Sequence, residues 1–77
     1  MDKYTVFNTI NSIMKDKYNY TLLFSDEVKT LICKYDCEKM HKIISILYAN
    51  RKSDEEYVKK NIASVEKESN RTMGFCI

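Results

Sequence analysis

At 77 residues the chain is long enough for one domain with a single small core, which leaves no room for a deep cleft between domains. Its 44% hydrophobic and 31% charged residues are the make-up of a folded globular unit rather than a disordered one. Thirteen basic against eleven acidic residues leave a formal charge of only +2, short of the basic excess expected where phosphate contacts dominate binding.

Proline is absent and Gly74 is the only glycine, so the interior lacks the turn residues that hairpins and sandwiches need. The expected fold is all-α: a small compact bundle of about four helices, as a monomer or a dimer. A chain this short hides only about 60% of its unfolded surface, which keeps dimerisation open. Residues 1–70 read as one helical domain and 71–77 as an apolar tail.

Asp2 is available to cap a first helix over residues 3–17, with Phe7, Ile10, Ile13 and Met14 expected on one face. Asn19 to Phe24, NYTLLF, is a polar turn and a short apolar run that fits a connector, a helical turn or an isolated strand equally well. Ser25 caps a second helix, with Asp26 and Glu27 opposing the positive end of its dipole and Val28, Leu31, Ile32 and Tyr35 at helical spacing.

The strongest helical signal runs from Cys37 to about Ala49, where Met40, Ile43, Ile44, Leu47 and Tyr48 repeat that spacing and mark the centre of the core. Asn50, Arg51 and Lys52 form a stop. Ser53 to Glu56 reads as a capping box that opens a fourth, outer helix, with Val58, Ile62 and Val65 facing inward and Glu55–Lys59 and Glu56–Lys60 pairs facing water. The tail ends in Phe75, Cys76 and Ile77.

Chemistry concentrates in CKYDCEKMH, Cys33 to His41, where two cysteines and the single histidine fall four residues apart. On an unbroken helix those side chains would share a stripe, and Cys76 would complete a three-cysteine, one-histidine zinc set. The tight cysteine knuckle of structural zinc sites is missing, so the preferred reading is a joint between helices. Asp36 caps the new helix there, and His41 lies off the apolar stripe, facing solvent or the rim. No metal or other cofactor is therefore expected.

Nor is catalysis. A Cys–His pair lacks an orienting third group, and the acidic triplet Asp54, Glu55, Glu56 is accounted for by capping. Three cysteines, an odd number, with a polar and mixed amino terminus suggest reduced thiols in the cytoplasm. No apolar run approaches the roughly 18 residues that a bilayer span requires.

Two helices meeting at Asp36 invite comparison with a helix-turn-helix, whose candidate DNA contacts would be Lys39, Lys42, Arg51 and Lys52. Its register is off by one, since Lys42 and Ser45 fall where apolar side chains are required. Residues Asn50 to Val65, NRKSDEEYVKKNIASV, look somewhat like the last helix of bacterial DnaD-type primosome domains, with Val65 where that family has tryptophan. The resemblance covers about a fifth of the chain, and it implies DNA binding by the carboxyl-terminal helix and tail. The chain is not assigned to the family on it.

Tyrosines serve more readily as half-buried rings or interface anchors. Tyr18 and Tyr20, outside the helical stripes, and Phe75 and Ile77 of the tail are therefore the candidate partner-binding residues. The expected function is that of a small non-enzymatic regulator, inhibitor or adaptor that binds another protein or a second copy of itself. The alternative is a DNA-binding regulator or replication accessory protein.

Overall fold

Helices form where a short polar side chain can take up the first free amides. In the computed structural model, which describes residues 2–71 and side chains to residue 67, these are α1 (Lys3–Tyr18), α2 (Asp26–Ile32), α3 (Cys37–Asn50) and α4 (Glu55–Arg71). Asp2, Ser25 and Asp36 sit in extended backbone and accept from the amides of Tyr4, Val28 and Lys39. The protein is an all-α bundle.

At the fourth start the cap differs from the expected Ser53–Glu56 box. Asp54 accepts from the Tyr57 amide at 3.1 Å, while the Ser53 hydroxyl donates to the Leu23 carbonyl at 2.6 Å. The serine is drawn off by a tertiary acceptor, and the neighbouring carboxylate takes over the helix.

Helices α1 and α3 end without glycine. Asn19 and Arg51 adopt left-handed backbone at φ 52. Tyr20 N–H then reaches the Lys15 carbonyl, and Lys52 N–H the Leu47 carbonyl, which satisfies the free carbonyls of the last turn. Helix α2 stops at Ile32 rather than running on to Tyr35, because Tyr35 N–H closes a tighter turn on the Ile32 carbonyl before Asp36 becomes extended. The joint between the two cysteines is therefore a break in the helix.

Helix α3 is the centre. Met40, Ile43, Ile44, Leu47 and Tyr48 are all buried; α1 and α4 pack on α3, and α2 lies against α4. Phe7, Ile10 and Met14 enter from α1, Val28 and Ile32 from α2, and Val58, Ile62 and Val65 from α4. Each fully buried side chain of this kind contributes about 1.5–3 kcal/mol relative to exposure, so burial rather than surface pairing decides the arrangement. Ile13, expected on the inner face, is 51% exposed. At 3.6 residues per turn it lies about 100° from the middle of the Phe7–Ile10–Met14 stripe.

Residues 19–25 form neither helix nor strand. Along this connector Leu22 is buried, Leu23 exposed and Phe24 half-buried. Phe24 meets Phe7 edge to face at 5.3 Å and lies 6.4 Å from Tyr48. The buried Tyr48 hydroxyl donates to Asn11 Oδ1 at 2.6 Å and accepts from Leu22 N–H at 3.3 Å.

Tyr48→Phe should therefore lower stability by about 1–3 kcal/mol, because the Leu22 amide is left unsatisfied in the interior. Urea unfolding measures the loss, and an unchanged midpoint would refute the role given to the hydroxyl. A second expectation concerns pH. Hydrogen bonds from the Tyr4 amide, then the Thr5 hydroxyl, hold the Asp2 carboxyl below its ordinary value. A carboxylate depressed by folding stabilises above its unfolded pKa, and that contribution is lost as pH falls through the folded one. The advantage of wild type over Asp2→Ala in urea midpoint should accordingly shrink on acidification below about pH 4.

Candidate functional site

The cysteine–histidine stretch is divided by the break after α2. Cys33 is buried at the end of α2, its thiol 3.8 Å from the Lys3 carbonyl, whereas Cys37 begins α3 and is exposed, as is His41. Among the described residues no group of three or more His, Cys, Asp or Glu side chains is placed to hold a metal ion. Cys76 lies outside the described residues. Cys37, Glu38, His41 and Lys42 line an open groove of about 530 Å³ at the start of α3.

Burial pushes the Cys33 thiol up, and the nearby Asp2 carboxylate adds to the effect. Burial also raises the Tyr35 phenol, with the Glu66 carboxylate of α4 contributing as a neighbouring charge and hydrogen-bond partner.

The four basic candidates do not form one patch. Lys39 lies over the Tyr35 ring at the start of α3, and Lys42 lines the groove there. Arg51 and Lys52 stand past the other end, about 18 Å further along the axis at 1.5 Å per residue from Lys39 to Arg51. The Arg51 guanidinium lies 4.8 Å from the Tyr20 ring centre, and Lys52 Nζ 4.7 Å from that of Tyr57.

The aromatic candidates divide as well. Tyr18 is half-buried, its ring 6.0 Å from Tyr48, so it serves the core. Tyr20 is 38% exposed beneath Arg51. Phe75 and Ile77 lie outside the described residues.

Leu23, next to the candidate tyrosines but not itself among the candidate residues, is 80% exposed. A single exposed leucine needs no explanation by itself. This one is held on both sides: the preceding Leu22 amide is bound by Tyr48, and its own carbonyl accepts from Ser53. Beyond it, Asp26, Glu27, Thr30, Leu31 and Glu55 line a second groove of about 400 Å³ between the starts of α2 and α4. Three apolar residues in succession, Leu22, Leu23 and Phe24, carry no sequence signal for which of them faces outward.

No family model matches this chain, and no curated protein or solved structure matches it either. The partial likeness to DnaD-type domains thus gains no support.

Thiol chemistry provides a check on the joint. In a Cys76→Ser background, an aromatic disulfide reagent should label Cys37 about tenfold faster or more than Cys33, which is shielded by burial. Equal rates would place Cys33 at the surface.

Proposed function

We propose that this protein is a non-enzymatic regulator or adaptor that works by binding another protein chain through the face formed by Tyr20, Leu23 and Arg51. The observation that carries the reading is Leu23, 80% exposed on backbone that two tertiary hydrogen bonds hold in place. An apolar side chain on pre-ordered backbone has little conformational entropy left to lose on docking. A tyrosine and an arginine beside it belong to the residue types enriched at interface centres.

No Asp, Glu, His, Lys or Arg among the described residues is buried. No helix among them is long and apolar enough to cross a membrane. For DNA binding, the four basic residues divide into two pairs at opposite ends of α3, Lys39 with Lys42 and Arg51 with Lys52, rather than forming one patch.

Affinity capture with the tagged protein tests the proposal. Leu23→Glu should lose a partner that both wild type and a Tyr4→Ser control retain, with its thermal unfolding curve unchanged because the side chain lies outside the core. Retention of every partner by Leu23→Glu would remove this face from consideration. Binding to random duplex DNA that falls steeply with added salt would favour the nucleic-acid reading instead.

A further inference from the structure

Two segments run side by side across the Leu23 face. One is residues 20–26 and the other residues 51–55. Arg51 lies over Tyr20, Ser53 is bonded to the Leu23 carbonyl, and Glu55 shares a groove with Asp26. Both segments therefore run in the same direction: residues 51–55 go from a cationic end to an acidic one, and residues 20–26 end beside it at Asp26. Arg51 and Lys52 stand at the first end; Asp26, Glu27 and Glu55 stand at the second, with Leu23 between them.

Glu55 is shared with Lys59 of the same helix at 3.3 Å, an exposed pair worth little, and Asp26 and Glu27 extend the acidic end. Lys52 is directed to Tyr57, about 200° around α4 from Glu55 at 100° per residue, so it stands apart from that end.

A strip with opposite charges at its ends and an apolar residue at its middle is complementary to itself under a two-fold rotation. From this we infer that the partner at this face is a second copy of the chain, docked about a two-fold axis near Leu23. In that arrangement the two Leu23 side chains meet, and Arg51 of each copy faces Asp26 and Glu27 of the other. An isologous interface requires this reciprocity, and a domain this small gains stability from association. The inference rests on the binding role proposed above and specifies its occupant.

Sedimentation equilibrium of the full chain tests it. Wild type should form a dimer whose dissociation constant rises about tenfold or more in Leu23→Glu, because two buried leucines become two facing carboxylates. Arg51→Glu and the double variant Asp26→Lys, Glu27→Lys should each be mainly monomeric alone, since each sets like charges against one another at both ends. Mixed in equal amounts they should form a heterodimer, in which both charged contacts are attractive.

A monomeric wild type, a dimer indifferent to Leu23→Glu, or mixing without heterodimers would each overturn the inference. A monomeric wild type that still loses a different captured protein on Leu23→Glu would overturn self-association alone and leave the binding face standing. Loss of neither dimer nor captured partner would end both.

Discussion

Burying the Tyr48 phenol removes a hydroxyl from water, and two hydrogen bonds of fixed geometry compensate: one to Asn11 on α1, one from the Leu22 amide. A buried group of this kind is expensive when unpaired, so the contact fixes how three parts of the chain meet. α3 supplies the phenol, α1 the acceptor, and the connector its backbone. Phe24 and Phe7 then close over the same region. Beside this contact Leu22 is buried and Leu23 exposed.

The helices answer to simpler rules. With no proline, and with the single glycine outside the described residues, the chain turns on polar side chains: Asp2, Ser25, Asp36 and Asp54 at helix starts, Asn19 and Arg51 at helix ends. A left-handed arginine carries a steric cost of about 1–2 kcal/mol. Its guanidinium over Tyr20 offsets part of that, at about 0.5–1 kcal/mol for an exposed cation–π contact. Arg51 thus shapes the end of α3 and one end of the proposed binding strip together.

Much of the fold was legible because helical burial is periodic. The stripe from Met40 to Tyr48 identified the central helix, and three of the four starts had the expected cap. The connectors were not legible, for a physical reason: their conformations depend on partners far away in sequence. Nothing local to NYTLLF indicates that Tyr48 will bind Leu22, and nothing local to Ser53 indicates that its hydroxyl will leave the helix start for Leu23. The same gap hid the candidate site. Tyr20, Arg51 and Lys52 were identified as residues, but not that the first two would stack, nor that Leu23 rather than Leu22 would face outward.

Both tethers of the connector join positions widely separated in the chain, 26 residues apart for Leu22 and Tyr48 and 30 for Leu23 and Ser53. Contacts of that span form only after loop closure has brought the helices together. The exposed strip therefore exists only where the helices are already packed, and local opening of the connector would dissolve it. Recognition built on such a strip doubles as an inspection of folding: a chain with its helices formed but its connector undocked has nothing to present.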